Sequence, residues 1–383
     1  MHDEKRRWQL QQQGHHGGHR PWLSLGLSLA LLGCAQGSSA LDLSQGPESH
    51  PDAGPGPVDP PKLEPTQVKL LDSVAVYFTG TDNKRSVENM VAFPAIKPGA
   101  TYGRVVLHIE LACPQGQCDP WDRVGSLSLV EGQPGSETVL EVARFITPYG
   151  VGGSWDLDVT DLQLLLAGTR RVRGFIDTWV GPGSAYGNGW LLSASVRFEV
   201  DGTAPRPVAI QPLGWTSTVY GDPARPVSGQ LLPKQISVPA GATGSAAVHV
   251  VTTGHGQGNL DNCAEFCQRN HSIVVDGQAS KQLVWRSDCS KNPVNNQKGN
   301  WQYPRAGWCP GDIVKPWRVD LGTRLAPGTT HTVGYDVDPY VNSCRPDAAT
   351  CGGCALGTGC AYDGGAHTEP YYLVSGYVIY YAP

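Results

Sequence analysis

No long segment of this 383-residue chain carries an unbroken 3.6-residue apolar period, and no long basic run appears in it. The first lack argues against a helical protein. The second, with a formal net charge of −5, leaves no electrostatic footprint for nucleic acid, so no such partner is expected. Also missing are a short repeat of the solenoid or propeller kind and an apolar run long enough to cross a bilayer. There is no His-x-His copper signature, and the only paired histidines, His15 and His16, lie at the amino end. What the chain has in quantity is turn chemistry: 48 Gly and 31 Pro beside 40% hydrophobic positions. Many short strands joined by turns are predicted.

Residues 1–34 carry Lys5, Arg6, Arg7 and Arg20 ahead of a short apolar core, the pattern of an export signal. The end of that segment, Leu31-Leu32-Gly33-Cys34, resembles the bacterial lipobox, which makes Cys34 a candidate for lipidation; cleavage after Ala40 is the alternative. Setting Cys34 aside leaves an even number of the 11 cysteines, as suits an oxidising compartment. The protein is therefore expected to be exported, either as an outer-membrane or cell-surface lipoprotein or as a periplasmic or secreted one. Residues 35–66 are rich in Pro, Gly, Ser and Asp and read as a tether without a core of its own.

Period-2 alternation follows. In "RVVLHIEL", Val105, Leu107, Ile109 and Leu111 share a face, and "WLLSASVRFEV" alternates Trp190, Leu192, Ala194, Val196, Phe198 and Val200. A single short helix is predicted at "TDLQLLLAG", with Thr160 as N-cap, Gln163 closing a capping box and Gly168 ending it. "DGTAPRP" at 201–207 is the best internal linker, and "YYLVSGYVIYY" reads as a last strand. The expected fold class is all-β, with two tandem antiparallel jelly-roll sandwiches at 67–203 and 204–383 and a cysteine-rich insertion at 344–360. A monomer is expected.

Two tight cysteine loops stand out. "CPQGQCDPWDR" places Cys113 and Cys118 just before Asp122 and Arg123, and "NCAEFC" encloses Glu265 between Cys263 and Cys267. Bridging so short a loop removes little chain entropy, so orienting a side chain is the better reason for it. An ordinary staple in a loop-rich exported protein fits the spacing as well. Between Cys289 and Cys309 lie Asn292, Asn295, Asn296, Gln297, Trp301, Arg305 and Trp308, a set of amides and indoles suited to sugars. The same tryptophans could also pack beneath a surface loop. Cys344, Cys351, Cys354 and Cys360 are expected to form two disulfides of open pairing rather than a zinc site.

"CDPWDR", "RFITPY", "DVTDLQLLLAG", "NCAEFC", "NPVNNQ" and "RAGWCPG", in this order, resemble the peptide-N-glycosidase F family, bacterial amidases that remove whole N-linked glycans from asparagine. The likeness runs from about residue 68 to the carboxyl end. It implies two jelly rolls packed side by side with a site in the cleft between them, an N-linked glycoprotein or glycopeptide as substrate, and no metal or organic cofactor. It implies Asp122 as the principal catalytic aspartate, Glu265 as the essential glutamate, and Asp177 of "FIDTWV" as the third catalytic acid, at a position where the family has a glutamate. Trp121, Arg123, Trp179, His255, Arg305 and Trp308 are the expected substrate-binding residues. Cys113 with Cys118, Cys263 with Cys267, and Cys289 with Cys309 are the expected disulfides. Asp177 is a methylene shorter than glutamate, Phe266 replaces a tryptophan, and "TGHGQGNLDN" is shorter than the family's loop. The shorter acid is expected to hold a water in place of touching the sugar and so to change the strength or range of activity, and the other two departures are expected to reshape the peptide or sugar subsites. A glycan-binding lipoprotein without activity and a glycosidase cutting between sugars are the competing functions.

Overall fold

The computed structural model describes residues 63–96, 100–202, 204–256, 262–342 and 369–383. The expected export segment with Cys34, most of the tether and the insertion with Cys344, Cys351, Cys354 and Cys360 lie outside the described residues, which fall in the compact unit Pro61–Pro383. Strands form where apolar side chains alternate. In β4 (Arg104–Ala112) and β9 (Trp190–Glu199), Leu111 faces Leu192, Ile109 faces Ala194 and Leu107 faces Val196, all of them buried. Cross-strand apolar pairs of this kind are the unit from which a sheet gains stability.

The first sandwich has two antiparallel sheets. One runs β2 (Asn83–Lys84), β1 (Thr66–Phe78), β9, β4, β7 (Gly153–Asp158). The other runs β16 (Asp312–Ile313), β6 (Thr138–Ile146), β5 (Val124–Glu131), β8 (Thr169–Ile176), β3 (Ser86–Ala92). The second sandwich joins β10 (Pro207–Pro212), β19 (Tyr371–Tyr381), β13 (Ala246–His255) and β17 (Trp317–Gly322), with β11 (Ser217–Val219) also on β19. Its other sheet is β12 (Lys234–Ser237), β18 (Thr330–Val337), β14 (Asn270–Val275), β15 (Gln278–Leu283).

The sheet that holds β13 and β19 is buried on both faces. Val248, Val250, Val374, Val378 and Tyr380 point into the second core, whereas Ala247, Tyr377, Ile379 and Tyr381 join the core of the first. A strand covered on both sides reads as a nearly continuous apolar run, as "YYLVSGYVIYY" does. Polar contacts lock the junction: Arg144 chelates Glu141 and donates to Thr253 Oγ1 at 2.9 Å and to the Leu373 carbonyl at 2.8 Å. Tyr377 donates to the Glu141 carbonyl at 2.8 Å, and β16 adds an edge to the first sandwich by pairing with β6. The two sandwiches therefore meet across one packed and hydrogen-bonded junction.

The helix predicted at "TDLQLLLAG" is instead a 3₁₀ turn, Thr160–Leu162, continuing as turns to Gly168. Gln163 does not close a capping box. Its carboxamide accepts from the Tyr102 N–H at 2.8 Å and donates to the Tyr102 carbonyl at 3.2 Å, while Thr160 Oγ1 accepts from the Val105 N–H. Side chains that would cap a helix are used up on a neighbouring loop and strand, so tertiary contact overrides local propensity.

Gly254 in β13 shows how close the site-bearing loops come to this frame. A Cβ there would overlap the Ala264 carbonyl oxygen, in the same loop as Glu265. Gly254→Ala is expected to cost about 1–3 kcal/mol of stability, as forced overpacking does, and to displace Glu265. Urea denaturation beside activity checks both, and an unchanged midpoint would count against this reading of the contact.

Candidate active site

Asp122 sits in a turn pinned on both sides. Past the Cys113–Cys118 disulfide, the Arg123 N–H donates to Thr147 Oγ1 at 2.8 Å, Thr147 Oγ1 donates to the Trp121 carbonyl at 3.0 Å, and the Thr147 N–H donates to the Arg123 carbonyl at 2.8 Å. The peptide groups flanking Asp122 thus have no freedom to swing. Its Oδ2 accepts from the Tyr149 hydroxyl at 2.7 Å. Tyr149 is braced in turn by the loop closed by Cys289–Cys309: its N–H donates to Gln297 Oε1 at 3.0 Å, and its ring lies against Gly299, where no Cβ would fit.

Glu265 comes from the second sandwich. Inside the Cys263–Cys267 loop its N–H donates to Asn262 Oδ1 at 3.2 Å, and its carbonyl accepts from the Ala306 N–H at 3.0 Å. The residue is only 8% exposed, and Oε1 accepts from Arg305 Nε at 3.1 Å. Arg305 is itself held by the Tyr303 and Pro304 carbonyls, 4.9 Å from the Phe266 ring and 5.6 Å from the Trp308 ring. Burial, and then the charge of Asp122, push the Glu265 pKa up to about 8 against the pull of Arg305. Burial also raises the pKa of Asp122, while the Tyr149 hydroxyl, Arg305 and Arg123 oppose it. Two carboxyls that feel each other's charge titrate as a pair. Burial thus pushes both carboxyls toward the protonated form, while each keeps donors that favour its ionised form, Tyr149 on Asp122 and Arg305 with Asn262 on Glu265.

Asp177 follows β8, with its N–H donated to the Val124 carbonyl at 2.9 Å. Arg85 Nη1 donates to its Oδ1 at 3.1 Å, and the same guanidinium lies 4.1 Å from the Trp179 ring. The carboxyl is 44% exposed, yet the protein packed around it raises its pKa; Arg123 and Arg85 work against that rise. Trp121 is 39% exposed and packs on Tyr186 at 5.2 Å, with the Arg123 guanidinium 5.1 Å from its indole. An acid, a guanidinium and exposed ring faces form the combination that binds sugar hydroxyls and ring faces.

Comparison with known proteins bears directly on this arrangement. The chain is 31% identical over 304 residues to the peptide-N(4)-(N-acetyl-beta-D-glucosaminyl)asparagine amidase F of Elizabethkingia miricola, across 75% of this chain and 81% of that protein. The chain belongs to the peptide-N-glycosidase F family. A family profile described as peptide-N-glycosidase F, C terminal, matches residues 225–355. Among solved structures, PNGase F from Flavobacterium meningosepticum superposes with a TM-score of 0.66 at 25% identity, over 83% of this chain and 96% of that one. A structure of PNGF-II shares the fold, with a TM-score of 0.60 at 16% identity over 83% of this chain and 65% of that one. The two-sandwich architecture expected from the peptide-N-glycosidase F resemblance is thus the architecture found.

The fold brings Asp122, Arg123, Glu265 and Arg305 within reach of one another's charge, with Asp177, Trp179 and Trp121 on the first sandwich. His255 is buried and bonded to Thr253 Oγ1 at 2.7 Å, and burial pushes its pKa down to about 3, so it stays neutral. Trp308 is 3% exposed, gives its indole N–H to the Gly254 carbonyl at 2.7 Å and stacks on His255. Both are buried, as Arg305 and Glu265 are, and both spend their polar atoms on protein partners. Asn292, Gln297 and Trp301 are buried too, and Asn292 and Gln297 both donate to the Pro310 carbonyl.

Sequence reasoning passed over Tyr149, Arg85 and Tyr371. Tyr149 closes the "RFITPY" motif, so a signal was present; Arg85 has none, since only the fold places β3 beside β8. Tyr371 pairs with His255, and its hydroxyl is held protonated by burial and by the charges of Asp177 and Glu265. Tyr149→Phe is expected to reduce kcat by about 10–100-fold, a loss within reach of one preorganised donor. It should also raise the apparent pKa of Asp122, visible as an upward move of the acidic limb of kcat/KM. An unmoved limb would exclude the bond as a tuning device.

Proposed function

We propose that the protein hydrolyses the amide joining an N-linked glycan to asparagine in glycoproteins or glycopeptides, releasing the intact glycan as its glycosylamine and leaving aspartate. The observation that carries the reading is the meeting of Asp122, from the first sandwich and bonded to Tyr149, with the buried Glu265, from the second and bonded to Arg305, close enough for each charge to act on the other's surroundings. Asp122, ionised, removes a proton from water as its oxygen attacks the amide carbon. Arg305 and Arg123 face the negative charge that grows on the carbonyl oxygen. Glu265, protonated, gives its proton to the departing glycosyl nitrogen as the C–N bond breaks. Asp177, with Arg85 and Trp179, binds the sugar, and Trp121 extends that surface toward Tyr186.

The folded parts of the reading are an amino-terminal domain at 67–203 and a carboxyl-terminal domain at 204–383, acting as a monomer. The three disulfides among the described residues support action outside the reducing cytoplasm. The lipobox-like Cys34 supports attachment to the outer membrane or cell surface. No helix among the described residues is long and apolar enough to cross a membrane.

The deciding experiment incubates the disulfide-bonded protein with an N-glycopeptide in heavy-oxygen water and weighs the products. An amidase yields a sugar-free peptide whose asparagine has become aspartate with one heavy oxygen. A peptide that keeps one sugar would turn the assignment to a glycosidase, and an untouched peptide to a binding protein.

A further inference from the structure

The proposed reaction makes no use of Asp119, although it is the most deeply buried acid near Asp122, at 0% exposure. Its carboxylate accepts three hydrogen bonds. The Trp121 N–H reaches Oδ1 at 3.0 Å, Arg123 Nε reaches Oδ2 at 3.0 Å, and Thr178 Oγ1 reaches Oδ2 at 2.7 Å. The first two donors flank Asp122 in the chain, and the third is the neighbour of Asp177 on a separate strand end. Its own backbone is tied as well: the Asp119 N–H donates to the Gly189 carbonyl at 3.2 Å, and its carbonyl accepts from the Gly150 N–H at 3.1 Å.

A buried ion pair is a weak source of stability, since an apolar group of the same volume often serves as well. Geometry is what this carboxylate supplies that an apolar side chain would not. It gathers the segments bearing Asp122 and Asp177 onto two oxygen atoms and orients Arg123, whose charge acts on both acids. Misplacing a reacting group by about 1 Å can cost about 100-fold in rate.

We infer that Asp119 is a positioning residue for the amidase reaction: it sets Asp122 and Asp177 relative to each other and holds the Arg123 guanidinium against both. The inference rests on the proposed function.

The test compares Asp119→Asn, Thr178→Val and Thr178→Ser with the wild type, in glycopeptide kinetics, thermal unfolding and crystal structures. Asp119→Asn should lower kcat by about 10–100-fold with a much smaller change in KM. Thr178→Val, which removes the bond to Asp119 together with the longer contacts to the Val180 backbone, should lose part of that rate, and Thr178→Ser, which keeps the hydroxyl, should retain it. In both impaired variants the Asp122 and Asp177 carboxyls should be displaced relative to each other at an unchanged fold. Should Asp119→Asn fail to fold, Thr178→Val decides the question alone. Carboxyls that stay in place, or equal kcat for Thr178→Val and Thr178→Ser, overturn the inference. A wild type that leaves the glycopeptide intact sinks the amidase reading instead, and the crystallographic comparison still decides the positioning role.

Discussion

Asp122→Asn is expected to reduce kcat on an N-glycopeptide by about 10³-fold, within the range typical of losing a positioned base. The substitution keeps the shape, and the Tyr149 hydroxyl at 2.7 Å can still donate to the amide oxygen. What disappears is the ability to take a proton from water. Stability should respond in the opposite direction. Because burial raises the pKa of Asp122, its ionised form is a cost to the folded state at neutral pH, so the neutral amide should leave the melting temperature unchanged or higher. Loss of rate without loss of stability separates chemistry from misfolding. A variant within tenfold of wild-type kcat would remove Asp122 from the reaction.

The second large effect concerns Glu265 and pH. If its proton goes to the leaving nitrogen, activity should fall as pH rises past about 8, where the carboxyl ionises. Glu265→Gln should lower kcat by about 10²–10³-fold and abolish that basic limb. Stability provides an independent check. The folded protein keeps the Glu265 proton up to about pH 8, whereas the unfolded chain loses it near the ordinary value of 4.5. Between those values the folded state binds more protons, so this group's contribution is fully present below about pH 4.5 and is lost as pH rises through about 8. Its size is on the order of a few kcal/mol. Denaturant titrations at pH 5 and pH 8.5 isolate this contribution as a difference between wild type and Glu265→Gln: the buried His249, His255 and His271, whose pKa values burial lowers, add stability over the same rise in both proteins, and the wild type should gain less, or lose more, than the variant. A basic limb that persists in Glu265→Gln would assign the proton to another group.

Much of this protein was readable from its residues alone. Alternation placed β4, β9 and β19 because a strand's side chains switch faces at every residue, a rule that needs no partner to be visible. The two short cysteine loops marked Asp122 and Glu265 because a tight bridge beside an acid is a local pattern. Other features had no local signature. The turn at Thr160–Leu162 failed to become a helix because Gln163 found the backbone of Tyr102, far away in sequence. Trp308 and Trp301 looked like sugar platforms, and whether an indole faces water or core is decided by what packs over it. The choice of acid types and their rigid mounts was thus written in the chain. Their meeting across two sandwiches was implied by the family resemblance and by no local pattern, while the burial of Glu265 beside Arg305 and the tie through Asp119 came only with the tertiary structure. Charge interaction and desolvation depend on distances between segments that are remote in sequence, and those distances exist only once the sheets have packed.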